Sequence, residues 1–151
     1  MRTDSQRGMT LIELIVAVGL FVALFLVLLG ILRVSLQLSA LAKAKAVAVE
    51  LASTQMEYLR SLPYTSLGTV GGTPSGTIPQ TAITTVNGVG YPVRTLISYY
   101  DDSADGTAAG DSNGVRTDYK KAKVTVSYSV NGRTGAVSLI SNFTPPGIET
   151  P

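Results

Sequence analysis

Glu13 is the only charged residue between Arg7 and Arg33, and it stands at the start of an otherwise apolar run that opens with Gly8-Met9-Thr10-Leu11-Ile12. A lone carboxylate at the edge of a membrane-length segment costs about 2.5–3.5 kcal/mol on insertion scales, so it is a functional candidate by default. Two readings fit the position: an acid held for a cationic partner, or an acid that snorkels to water at headgroup level where a signal anchor begins. A second candidate group is rich in oxygen donors. Asp101, Asp102, Asp105, Asp111, Asn113 and Asp118 crowd eighteen residues together with Gly106, Gly110 and Gly114. Such a set suits calcium, although its spacing is not that of an EF-hand. The same residues also read as a solvated turn whose aspartates cap and solubilise the backbone, and this is the favoured reading. The chain has no cysteine and no histidine. Disulfides, thiol chemistry and the usual zinc sites are thereby excluded within it, and a nucleophilic triad lacks its base.

The element that carries Glu13 is an apolar helix. Leu14 to Leu32 form nineteen consecutive uncharged residues, LIVAVGLFVALFLVLLGIL. At about 1.5 Å per residue this length matches a hydrocarbon core of about 30 Å. A cleavable secretory signal would have a shorter apolar centre and a small-residue cleavage site after it, and neither is evident. Arg2 and Arg7 precede the run against Asp4, while Arg33 alone follows it closely. The positive-inside rule then expects a single-pass protein with a cytoplasmic N-terminus and an exported C-terminal portion.

Beyond the apolar run the helical pattern continues. Leu38, Ala42, Val49, Ala52, Met56 and Leu59 recur at spacings of three, four and seven, with Lys43, Lys45, Glu50, Glu57 and Arg60 elsewhere on the wheel. Pro63 supplies the stop by disfavouring helical geometry at Leu62. The expectation is one helix of about fifty residues, on the order of 75 Å long, with an apolar half and an amphipathic half. Gly19 and Gly30 are its weak points. Each glycine costs about 1 kcal/mol against alanine, so Gly30 marks a place to bend or melt, or else a place where another helix packs closely.

The remaining sequence leaves room for one small domain. A Gly- and Pro-rich loop over 63–80 cannot hold regular structure for long. Strands are expected over 81–86, 91–100, 119–130 and 135–143, joined in hairpins at Asn87-Gly88 and Asn131-Gly132. Pro92 marks a strand start or an edge. In the third strand Ala122, Val124, Val126, Tyr128 and Val130 share one face, with Lys121, Lys123, Thr125 and Ser127 on the other. A formal net charge of +2 and a single cluster, Lys120, Lys121 and Lys123, read as a solvated sheet face rather than a nucleic-acid patch. The fold class is therefore α+β: a long N-terminal helix whose amphipathic half covers one face of a four-stranded antiparallel meander.

Gly8-Met9-Thr10-Leu11-Ile12-Glu13, after a short basic leader and before an unbroken apolar helix, resembles the processing motif of the type IV pilin and type II secretion pseudopilin family. The resemblance is close from Arg7 to about Leu32 and extends to the rest in outline only. It implies a leader over 1–8, cleavage by a prepilin peptidase between Gly8 and Met9, and methylation of the new Met9 amine. It implies a filament-core helix over 9–32, an amphipathic half over 33–62, a loop over 63–80 and a β domain over 81–151. Glu13 would then pair with the Met9 amine of a neighbouring subunit during self-association or co-assembly with other pilins. Further implied partners are membrane lipid before assembly and an inner-membrane assembly machinery. Met9 stands where phenylalanine is commoner in the family, Gly30 stands where many members carry a kinking proline, and the C-terminal disulfide of many pilins cannot form. Some members carry a calcium loop, which does not align with the Asp set residue by residue; no other cofactor is implied.

The competing expectation is a monomeric signal-anchored module whose exported meander binds a ligand. An enzyme is the remotest class, because no acid–base pair, nucleophile or phosphate loop is recognisable.

Overall fold

The computed structural model describes residues 10–101 and 118–146. Its elements are α1 (Leu11–Ser61), β1 (Thr81–Val86), β2 (Val89–Tyr100), β3 (Tyr119–Val130) and β4 (Arg133–Phe143), with a single 3₁₀ turn at Tyr64–Ser66. The chain divides after Ala40 into two compact units. In the first, every residue from Leu11 to Ser39 is helical and exposed. The helix is unbroken through Gly19 and Gly30, where an added Cβ would meet nothing within 4 Å.

In the second unit the remaining helical residues bury Ala44, Ala48, Ala52, Met56 and Leu59. This corrects the expected stripe: Ala52, Met56 and Leu59 hold, while Leu38, Ala42 and Val49 are exposed. The steps of four from Ala44 to Met56 keep the small side chains on one helix face. Alanine contributes little to a hydrophobic pattern, so much of the buried face falls on the residues least visible to periodicity. Against them pack Tyr91, Val93 and Ile97 of β2 and Ala122, Val124 and Val126 of β3, with Val137, Leu139 and Phe143 of β4 half-buried beside them. Thr95 is a buried polar residue in this layer, and it accepts a 3.4 Å hydrogen bond from Nε2 of Gln55 on the helix. The helix ends at Ser61, before Pro63, as the proline requires.

The sheet is an antiparallel meander in the order β1-β2-β3-β4. Both short connections are set by their residues. Asn87 and Gly88 have φ of 51° and 78°, and Asn131 and Gly132 have 50° and 77°, the left-handed pair that a type I′ hairpin demands. The register of β1 on β2 runs from Val86↔Val89 through Ile83↔Pro92 to Thr81↔Arg94, while β2 pairs with β3 only from Val93 onward. Hydrogen bonding alternates along β2, so the missing N–H of Pro92 is one that would have faced β3. The ladder stops where its donor does.

The loop over 63–80 is more ordered than its composition suggests. Leu67, Thr69 and Ile78 are buried, and the backbone bonds that tie it together include Thr69 N–H to the Pro74 carbonyl (3.1 Å), Val70 to Ile78 (2.9 Å), Gly76 to Thr69 (3.2 Å) and Ile78 to Gly68 (3.3 Å). Gly68 and Gly76 lie back to back. A Cβ on Gly68 would strike the carbonyl of Ser75, and one on Gly76 would strike the backbone of Gly68, so glycine is required for the approach of the two segments. The loop thereby adds Leu67 and Ile78 to the core.

Candidate functional site

Thr10 stands immediately before α1, and its Oγ1 accepts a hydrogen bond from the Glu13 N–H at 3.4 Å. The Thr10 carbonyl accepts the first helical bond, from the Leu14 N–H at 3.2 Å. Thr10 is thus the N-cap and Glu13 the third helical residue, the Thr-x-x-Glu sequence of a capping box, of which the bond to the Thr10 hydroxyl is formed. The partial positive charge of the helix N-terminus also favours a carboxylate at this point. This local role was not read from the sequence, although Thr10 and Glu13 carry its signature. Glu13 is exposed and makes no ion pair among the described residues.

Around it, the helix presents apolar side chains in every direction: Leu11 is 77% exposed, Phe21 70% and Leu24 65%. This is one helix long and apolar enough to cross a membrane. Its surface can be solvated by lipid or by other helices, and the single acid at its start can neutralise a cation brought there by another molecule. Gly8 and Met9, the expected processing residues, lie outside the described residues.

The Asp-rich candidates fall largely outside as well: Asp102, Asp105, Asp111 and Asn113 are not among the described residues. Asp101 and Asp118 flank them at the ends of β2 and β3, where the Asp118 N–H donates to the Tyr100 carbonyl at 3.0 Å. At the same base the rings of Tyr100 and Tyr119 stack with centroids 5.0 Å apart, and the Lys121 ammonium sits 3.8 Å over the Tyr100 ring. Among the described residues, no three His, Cys, Asp or Glu side chains gather into a metal site.

The lysine cluster needs a correction. Lys121 and Lys123 take the outer sheet face as expected, but Lys120 is 3% exposed and points inward. Its parity along β3 with Ala122, Val124 and Val126 places it there, so the alternation itself held the signal. Lys120 Nζ donates to the carbonyl of Tyr64 at 2.7 Å and to that of Leu67 at 2.8 Å. It also lies 4.5 Å over the Tyr64 ring and 5.6 Å over the Tyr99 ring. Burial lowers the Lys120 pKa below its ordinary value, and desolvation, with the Tyr99 phenol as a lesser cause, raises that of Tyr64. The ammonium ties β3 to the turn that follows α1, a structural clamp rather than a catalytic group.

A scan against protein-family models, a search of curated proteins and a search of solved structures each return no match. The functional reading therefore rests on the residues and on the fold they build.

Proposed function

We propose that this chain is a structural subunit of a pilus-like filament, inserted through its N-terminal helix, processed after Gly8 and assembled by packing of that helix against its copies. The observation that carries this reading is the conjunction of Glu13 with a helical surface that is apolar on all sides from Leu11 to Leu32. A tether needs only length and hydropathy; a filament core needs side chains that pack in all directions and a device that fixes register. Glu13 supplies the device. A Met9 amine freed by cleavage would be a buried cation in the assembled core, and a carboxylate from a neighbouring subunit would neutralise it. Such a pair adds little net stability but discriminates strongly between docked and undocked subunits, because either charge alone in an apolar surround is costly. Pilin, minor pilin and pseudopilin are equally served by this design.

The signal-anchored binding module is favoured by one observation: Thr10 caps α1 through the Glu13 N–H, so the Glu13 carboxylate stands in the first turn, where the helix dipole gives it a sufficient local purpose. Intact mass and N-terminal sequencing of the chain recovered from its native envelope separate the two. A chain that begins at Met9 with an added methyl group supports the filament subunit. One that still begins at Met1 in cells with an active prepilin peptidase overturns it.

A further inference from the structure

β4 is an edge strand, and among the described residues no strand pairs with its free side. The type I′ hairpin makes Val130↔Arg133 a hydrogen-bonded pair, so alternation directs the N–H and C=O groups of Arg133, Gly135, Val137, Leu139, Ser141 and Phe143 toward β3. Those of Thr134, Ala136, Ser138, Ile140 and Asn142 point away from the sheet. None of these five residues has a backbone partner on that side among the described residues. Folded proteins normally guard such an edge with brevity, proline, lysine or a bulge. β1, the opposite edge, has brevity, with 6 residues. β4 has 11 residues, RTGAVSLISNF, with no proline, no bulge in its register and only one charge, at its first position.

We propose that the free edge of β4 pairs antiparallel with the same strand of a second copy of this chain, about a two-fold axis through Ser138. The strand is its own complement in this register. Ser138 is the middle residue, so this centre alone pairs the whole strand. Its outward-pointing backbone groups also fall opposite one another, Ser138 on Ser138, Ala136 on Ile140 and Thr134 on Asn142, which is the parity a hydrogen-bonded ladder needs. On the outer face Ile140, 61% exposed, meets Ala136. On the inner face half-buried Val137 meets Leu139, extending the core over an open flank, and Arg133 meets the ring of Phe143. No charge faces a like charge. The contact is isologous and closed, so it ends at a pair and is separate from any helix-driven assembly. It rests on the sheet alone and not on the function proposed above.

The chain has no cysteine, so single cysteines placed in the full-length protein in its native membrane report the contact directly. A hydrogen-bonded antiparallel pair sets Cα atoms about 5.5 Å apart, within disulfide range. Under mild oxidation Ser138→Cys is expected to give disulfide-linked dimer several-fold above Ser127→Cys, an exposed outer-face site on β3. Ile140→Cys alone is expected to stay monomeric, because its copies would lie about 13 Å apart along the strand, while the Ala136→Cys, Ile140→Cys double variant cross-links. Adding Ile140→Pro to Ser138→Cys removes an outward N–H without touching the β3 ladder and is expected to abolish the cross-link. Equal yields from Ser138→Cys and Ser127→Cys, or efficient linking by Ile140→Cys alone, overturn the pairing. Failure of processing at Gly8 leaves each of these outcomes unaffected.

Discussion

Lys120 both donates to the Tyr64 carbonyl at 2.7 Å and lies over the ring of the same residue, so one buried ammonium holds the backbone and the side chain of the turn that ends the helix. Lys120→Met keeps most of the volume but leaves the carbonyls of Tyr64 and Leu67 without this donor. The Tyr64 carbonyl keeps the bond from the Leu67 N–H at 3.3 Å, and an unsatisfied buried acceptor such as the Leu67 carbonyl costs about 1–3 kcal/mol. The variant is expected to be destabilised by about that amount in denaturant unfolding followed on the β signal. A methionine variant as stable as the parent would show that desolvation of the ammonium cancels both bonds.

The two pKa shifts at this clamp act in opposite directions on stability. Lys120 titrates below its ordinary 10.5, so between its folded value and 10.5 the unfolded chain holds more protons and stability rises with pH. Tyr64 titrates above its ordinary 10.0, so beyond that point the folded chain holds the proton longer and its contribution falls as pH rises. The difference in unfolding free energy between the parent and Lys120→Met should therefore grow as pH climbs toward about 10, and that between the parent and Tyr64→Phe should shrink above it. Flat differences from about pH 8 to about pH 11 would remove the coupling.

What could be read from the sequence divides along the same physical line. Hairpins at Asn87-Gly88 and Asn131-Gly132, the stop before Pro63 and the alternation of β3 were legible because each is set by local backbone sterics or by a period of two. Ala44 and Ala48, which extend the buried stripe from Ala52, were not, since their burial is decided by how the helix packs on the sheet, a tertiary quantity. Leu67 and Ile78 were hidden in a loop whose glycines advertise turns and not the close approach that those glycines permit. Lys120 was legible by parity and misread by charge: a lysine in a basic run suggests water, whereas its register dictates burial. At Glu13 the sequence carried both roles at once, the lone acid of an apolar helix and the third residue of a capping box.

The approach of Gly68 to Gly76 makes a sharp prediction of opposite sign to one on the helix. Gly68→Ala drives a methyl into the Ser75 carbonyl, a backbone atom that cannot rotate aside, and overpacking of this kind costs about 1–3 kcal/mol. Gly30→Ala meets nothing within 4 Å and gains helix propensity of about 1 kcal/mol. Thermal unfolding should place the first variant below the parent. Circular dichroism of the full chain in detergent should show helix in the second at least equal to the parent, and a loss of helix there would mean that Gly30 is needed for a close contact between chains.

The helix-start role of Glu13 and the pairing role proposed for it can be separated by substitution because they need different chemistry. Capping needs an acceptor at the third helical position, and glutamine serves there as well as glutamate. Neutralising a buried amine needs a negative charge, which glutamine lacks. If assembly depends on the charge, Glu13→Gln should preserve helix content and membrane insertion yet reduce sheared filament yield as severely as Glu13→Ala. Thr10→Ala, which removes the cap and weakens the helix start by about 1 kcal/mol, should lower yield far less. The reverse order, with Glu13→Gln assembling normally and Thr10→Ala failing, would assign Glu13 to the helix start alone. It would also leave the apolar surface from Leu11 to Leu32 as a membrane anchor without a register device.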